Sequence, residues 1–221
     1  MIDLQRDGDV FILTMDDDEN RLSPSNLGEL EAALATVEAA DGPKALVTTG
    51  TGKFFSNGLD LDHLGANPDD LVPYLARVHA LFVRVLSMPC ATVAACNGHT
   101  FAAGAMVAIC HDHRVMREDR GYWCLPEVDL GMPFTEGMNA LIPARLPAMT
   151  AHEAMVTGRR YPGPDALAGG IVNELAADDQ VLPRAVEVAQ SLASKAGPGI
   201  AGIRTHLHHH VIAHLQGTER G

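Results

Sequence analysis

Positive charge is scarce in this chain. Sixteen lysines and arginines stand against 28 aspartates and glutamates over 221 residues, a formal net charge of −12. Non-specific binding to nucleic acid or to an anionic membrane needs a basic surface, and this composition excludes both. An anionic ligand can still be held, but only by a local patch or by backbone donors. Long apolar runs are also missing, and none reaches the length of a membrane-spanning helix. The four cysteines, Cys90, Cys96, Cys110 and Cys124, form no CxxC pair and sit in apolar contexts. They read as core thiols in a reducing compartment, not as a disulfide framework or a metal site. Met1-Ile2-Asp3 leads into an acidic, alternating segment instead of a basic and apolar leader, so a cytoplasmic protein is the expectation. No low-complexity linker divides the chain and no strict repeat is visible. A content of 47% hydrophobic and 20% charged residues is that of an ordinary globular protein, and the length suits one domain.

What is present is an alternation of strand and helix signals. Val10–Met15 reads as a strand after the Asp7-Gly8-Asp9 turn. Ser23-Pro24 supplies an N-cap and a proline at the first helical position, and Leu27, Leu30, Leu34 and Val37 continue at helical spacing until Asp41-Gly42-Pro43. Ala45–Thr49 and Ala91–Cys96 are short buried strands, each followed by a glycine-bearing turn, and Leu71–Leu86 is an amphipathic helix between them. A helix opens at Ala102 and runs toward His111, and His113–Met116 is a further strand. The later half is helical: 137–146, 150–157, 164–168, 183–196 and one final helix from Ile200. Alternating strands and helices make this an α/β fold.

The stretch from Asn97 to Gly131 carries most of the chemistry. Ala102-Ala103-Gly104-Ala105 opens a helix whose first N–H groups have no intrahelical partner and attract developing negative charge. A lone carboxylate, Glu127, follows an apolar-rich segment. Backbone donors for an oxyanion beside one carboxylate base are the minimum equipment for moving a proton next to a carbonyl.

Two turns and one loop carry a resemblance to the crotonase superfamily, the enoyl-CoA hydratases and isomerases. Phe55-Ser56-Asn57-Gly58-Leu59-Asp60 looks like that family's F-x-A-G-x-D loop, Asn97-Gly98 through Ala102-Ala103-Gly104 resembles its N-G-x-x-x-G-G-G turn, and Leu125-Pro126-Glu127-Val128-Asp129-Leu130-Gly131 follows. The resemblance implies a spiral of strand–strand–helix turns over residues 1–175, with a short C-terminal helical region over 176–221, in a single domain overall. It implies an acyl-CoA substrate, CoA being part of the substrate and no separate cofactor or metal being needed. It places oxyanion donors at the N–H groups of Leu59 and Ala103. Substrate contacts are expected from Ser56, Asn57, Gly58, Asp60, Gly104 and Met106, and from the loop around Arg21 and Ser23, where Arg21 is either a phosphate contact or a plain surface arginine. A homotrimer or dimer of trimers is the implied assembly.

One departure separates the activities within the family. Family hydratases carry a glutamate two residues after the last glycine of the second turn, and here that position is Met106. Adding water across a conjugated double bond needs water held between two acid–base groups, whereas moving a double bond from the 3 to the 2 position needs one base and an oxyanion hole. The wording from His111 through Gly131 is similar to the plant-type peroxisomal Δ3,Δ2-enoyl-CoA isomerases, which also lack the first glutamate. The resemblance therefore implies an isomerase with Glu127 as base, with a hydratase, thioester hydrolysis or a non-catalytic CoA-binding protein as alternatives. Glu136, in Thr135-Glu136-Gly137-Met138, is the competing carboxylate, because other family isomerases place their base in a similar tetrapeptide. Its plain role is to complement a helix dipole. Asp129 would share a face with Glu127 on an extended segment. Met132, Phe134 and Met138 are candidates for an acyl-pocket wall or ordinary core. His206, His210 and His214 recur at helical spacing, but no acidic or cysteine partner is near, and a polar helix face or subunit contact is the preferred reading.

Overall fold

Alternate burial on two faces organises the larger of two sheets, and the site lies at the ends of the smaller one. In the computed structural model, which describes residues 1–217, strands β1 (Ile2–Asp7) and β2 (Val10–Met15) form a hairpin through Gly8. Helix α1 (Pro24–Ala39), β3 (Ala45–Gly50), β4 (Phe54–Ser56), α2 (Leu61–Ala66) and α3 (Leu71–Leu86) follow. Then come β5 (Ala91–Cys96), β6 (His99–Phe101), α4 (Ala103–Cys110), β7 (His113–Arg117) and β8 (Trp123–Cys124). The remainder is α5 (Glu136–Arg145), α6 (Ala148–Thr157), α7 (Gly163–Ala168), β9 (Glu174–Ala176), α8 (Val181–Leu192), α9 (Pro198–Leu207) and α10 (His209–Leu215). The large sheet has the order β1-β2-β3-β5-β7-β9 and is parallel after the first hairpin. A second parallel sheet, β4-β6-β8, takes one strand from each successive turn of chain. Each turn thus adds one strand to the large sheet, then one to the small sheet, then a helix, which is the strand–strand–helix spiral expected.

Alternate residues of β3 and β5 face two different cores. Ala45, Val47, Ala91, Val93 and Ala95 pack with Ala185 and Ala189 of α8, whose small side chains let that helix lie close on the sheet. Leu46, Ala94 and Cys96 join the larger core with α1, α3, α4 and α5. Burial on both faces explains why these strands read as continuous apolar runs. All four cysteines are buried free thiols, and burial pushes them up to about 11 (Cys90, Cys124) or about 12 (Cys96, Cys110).

Four local features differ from the sequence expectation. The N-terminal alternating segment is a strand, β1. Strands β6, β8 and β9 are two or three residues long, too short for a periodic signal. The segment bearing Glu127 and Asp129 is not extended: Pro126–Val128 is a single 3₁₀ turn. The helix from Ile200 is two helices, α9 and α10, separated at His208, so His206 and His210 do not share one continuous helical face.

A buried guanidinium fastens this C-terminal region to the body. Arg204 of α9 is 3% exposed and donates to the carbonyls of Val85, Leu86 and Cys90, to Thr92 Oγ1 and to Asp112 Oδ2. Leaving such a set of acceptors without its cation is costly. Arg204→Leu is expected to lower stability by about 3 kcal/mol in urea denaturation; a loss below about 0.5 kcal/mol would show that the clamp is dispensable.

Candidate active site

Two backbone turns meet where side chains are absent. Gly58 has φ +84°, and a Cβ there would sit 2.8 Å from Ala102 Cβ and 3.0 Å from the Ala103 nitrogen. Gly104 lies against Ser56, whose Cβ and Oγ would be 2.6 Å from a Cβ at 104. The loop after β4 and the start of α4 are therefore pressed together, and the N–H groups of Leu59 and Ala103 become neighbours. Neither has an acceptor among the described residues. Ala102 adopts φ +49° and ψ −127°, a conformation L-residues rarely occupy.

Surrounding bonds hold both turns. Ser56 Oγ donates to Asn20 O at 2.7 Å and accepts the Gly58 N–H at 3.2 Å. The Tyr74 hydroxyl donates to Leu22 O and accepts the Asp60 N–H, tying α3 to both loops. On the other turn, Ala102 N–H donates to Cys124 O. Helix α4 is wholly buried, and its far end is satisfied by arginines: Arg145 donates to Ile109 O and His111 O, and Arg114 to His111 O. Cations at the carbonyl end and free N–H groups at the other complement the helix dipole and leave its positive end at the site.

Between these donors and the Pro126–Val128 turn lies a cavity of about 420 Å³. Leu59, Ala103, Asn57, Arg21 and Glu127 line it, with Leu61, Leu71, Leu75, Phe101, Pro126, Leu130, Met132, Pro133, Thr135 and Met138. Glu127 is 8% exposed, and its Oε2 is buried without a hydrogen-bond partner. Burial in this apolar wall pushes its carboxyl up from 4.5 to about 7, and a backbone hydrogen bond within the residue pulls weakly the other way. A lone carboxylate balanced near neutrality, facing backbone donors across an apolar cavity, is suited to taking a proton from carbon beside a carbonyl and returning it.

Other sequence candidates lie elsewhere. Glu136 is exposed at the first position of α5 and lines a separate open groove with His79 and Leu215. Met106 is fully buried in the core and does not line the cavity. Ser56 and Gly104 stand behind the donors as packing partners, Asp60 caps α2, and Ser23 caps α1 beside a hollow shared with Asp17, Asp18, Glu19 and Asp60. Arg21 is ion-paired with Glu19 at 2.7 Å, Asp62 at 2.5 Å and Asp60 at 3.4 Å, so its charge is already matched by carboxylates at the cavity mouth. Met132 and Met138 line the cavity, whereas Phe134 packs on the main core. Asp129 faces Gly158. Phe101 and Thr135 were not anticipated as lining residues. Phe101 sits on a strand too short to recognise, and Thr135 carries only an N-cap signal.

The chain is similar to known proteins along most of its length. The model of the family described as enoyl-CoA hydratase/isomerase matches residues 5–219. Enoyl-CoA delta isomerase 3 of Arabidopsis thaliana is 36% identical, over 88% of this chain and 86% of that protein. The peroxisomal enoyl-CoA delta isomerase 2 of the same plant is 33% identical, over 94% and 92%. Among solved structures, a probable enoyl-CoA hydratase from Mycobacterium tuberculosis H37Rv superposes with a TM-score of 0.92 at 29% identity, covering 98% of this chain and 92% of that one.

The site generates two stability predictions. Below pH 4.5 Glu127 is protonated whether the chain is folded or unfolded; between 4.5 and about 7 only the unfolded chain ionises, so folding stability falls as pH rises, and the full cost is present above 7. Glu127→Gln is therefore expected to gain stability over the unmodified protein as pH rises, reaching on the order of 3 kcal/mol above pH 7; a difference independent of pH would refute a raised carboxyl. Ala102→Gly should relieve its backbone strain and raise stability by about 1 kcal/mol, read as an upward shift in Tm.

Proposed function

The chain belongs to the enoyl-CoA hydratase/isomerase family, and on that premise we propose that it is a Δ3,Δ2-enoyl-CoA isomerase working with a single glutamate. The observation that carries this reading is the isolation of Glu127: among the described residues lining the cavity, the only other carboxylate is Asp62, which is ion-paired to Arg21 at the mouth. The thioester oxygen of a 3-enoyl-CoA accepts hydrogen bonds from the Leu59 and Ala103 N–H groups. Glu127 removes a C2 proton, the electron pair spreads through the dienolate onto that oxygen, and the protonated Glu127 delivers the proton to C4. The double bond then lies between C2 and C3, and the carboxylate is restored without any net proton exchange.

The N-terminal end of α4 supports this sequence of events because its free N–H groups interact more strongly with the oxyanion than with the neutral carbonyl. A carboxyl near 7 suits both halves of the shuttle, being basic enough to remove a proton and acidic enough to return it. Met106 speaks against water addition by a pair of carboxylates, since its thioether occupies the family position of the first glutamate and is buried away from the cavity. The reading requires no metal or redox cofactor. Asn57 and the loop around Arg21 are proposed to meet the CoA portion, where the Arg21 ion pairs must open or reorient for a phosphate to be bound. A homotrimer or dimer of trimers is the proposed assembly, as in the family resemblance.

Incubation with a 3-enoyl-CoA and, separately, with a 2-enoyl-CoA distinguishes the activities by product: conjugated thioester in the first case and 3-hydroxyacyl-CoA in the second. Isomerisation without appreciable hydration is expected, and Glu127→Gln should lower kcat for isomerisation by at least 10³-fold, on the order of the loss expected for removing a general base. Glu136→Gln should change it less than about twofold, in line with its exposed position outside the cavity. Rapid hydration without isomerisation would overturn the activity, and full isomerisation by the Glu127→Gln variant would overturn the base.

A further inference from the structure

Two hollows of this molecule share a wall. The cavity that holds Glu127, about 420 Å³, and an open groove of about 660 Å³ between α3, α5 and α10 have Leu75 in common. Elsewhere the wall is hardly thicker. Thr135 lines the cavity, and the next two residues, Glu136 and Gly137, line the groove. His79, one turn after Leu75 on α3, lines the groove and meets Thr135 across the wall, its Nε2 2.9 Å from Thr135 Oγ1. This contact is braced from three helices. His79 Nδ1 lies 3.2 Å from Leu215 O of α10; a carbonyl only accepts, so Nδ1 donates there and Nε2 accepts the Thr135 hydroxyl. Thr135 Oγ1 in turn caps α5 by accepting the Met138 N–H at 3.2 Å. A chain end pushing through would have to part Thr135 from His79 in a part-buried setting, where unpaired polar groups are costly.

An acyl tail gains from the apolar lining of the cavity, not from the ion-paired Arg21 and Asp62, and each buried methylene adds affinity until the tail meets a barrier. We propose that Leu75, His79 and Thr135 form the end wall of the acyl site and set the longest acyl chain it accepts, so that the protein takes short and medium acyl thioesters and gives long ones no further room. The inference rests on the reading of the cavity as an acyl-thioester site. A volume of about 420 Å³ lies toward the small end for a ligand site. Behind the wall, Val72, Ala76, Ala80 and Val83 of α3 give the groove an apolar side that suits a longer tail. The wall, not a lack of space beyond it, is therefore what stops the chain.

Isothermal titration of the whole protein with saturated acyl-CoAs from butanoyl to hexadecanoyl, each below its micelle concentration, tests this. Affinity is expected to rise about threefold per added methylene up to a break, and then to level off. His79→Ala joins cavity and groove, so the break should move to chains longer by about two methylenes or more, a gain of about tenfold for the chains just beyond it. His79→Gln keeps bulk and a hydrogen-bonding group, and should leave the break in place. Val83 stands one turn beyond His79 and lines the groove. Helical side chains lean toward the N-terminus, so Val83→Phe should fill the space that His79 vacates. Added to His79→Ala it should restore the original break, and alone it should not move it. Leu75→Ala thins the wall from the cavity side, should also move the break to longer chains, and carries the test if His79→Ala does not fold. A break unmoved in both folded variants, affinity climbing without a break in the unmodified protein, or a shift in His79→Ala that persists with Val83→Phe would each overturn the proposal. Failure of every chain length to bind would overturn the acyl-thioester reading itself and the inference with it. The expected breaks without isomerisation would support the inference and overturn only the proposed activity.

Discussion

Contact between two backbone turns is the constraint on which the site depends. Leu59 and Ala103 lie far apart in sequence, and their N–H groups become neighbours only because Gly58 and Gly104 present no Cβ to Ala102 and Ser56. That approach also accounts for the strained conformation of Ala102, which joins β6 to α4 while the N–H donates to Cys124 O. The spiral of two sheets delivers the contact: β4 and β6 are paired neighbours in the small sheet, so the segments leaving them emerge side by side. Tyr74, Ser56 and the arginines at the far end of α4 then stabilise an arrangement the backbone alone would not keep.

Electrostatics follow from the same geometry. A chain with net charge −12 has little cationic side-chain charge to offer an oxyanion, and the groups proposed for that role at this site are backbone dipoles. Glu127 gains its high proton affinity from burial among apolar neighbours, since desolvation is the dominant cause of its shift. Acidity is concentrated at the entrance, where Glu19, Asp60 and Asp62 surround Arg21; the Glu19 carboxyl is held below its usual range first by the Asn57 amide and then by Arg21. The cavity thus passes from a charged mouth to a largely apolar wall that contains Glu127.

Much of this was legible in the sequence wherever a local signal is physically strong. Ser23-Pro24 and the leucines after it mark α1, the amphipathic pattern over Leu71–Leu86 coincides with α3, and apolar runs mark β3 and β5 because both faces of those strands are buried. The glycine-bearing turns at Asn57-Gly58 and Asn97-Gly98 point to the two donor loops through family resemblance. Features that depend on tertiary packing were not legible. Strands of two or three residues have no periodicity, the 3₁₀ turn at Pro126 reorients Glu127 relative to Asp129, and nothing local breaks the final helix at His208. The Thr135–His79 contact joins residues 56 positions apart and becomes visible only when α3 and α5 are packed together.

The account stands or falls on a carboxyl that is both buried and the proton carrier. The dependence of kcat/KM on pH for conversion of a 3-enoyl-CoA to its conjugated isomer measures both at once. The account predicts activity that rises through a single ionisation near 7 and levels off above it. A profile already flat from pH 5 upward would contradict it, because the base would then be an ordinary solvated carboxylate.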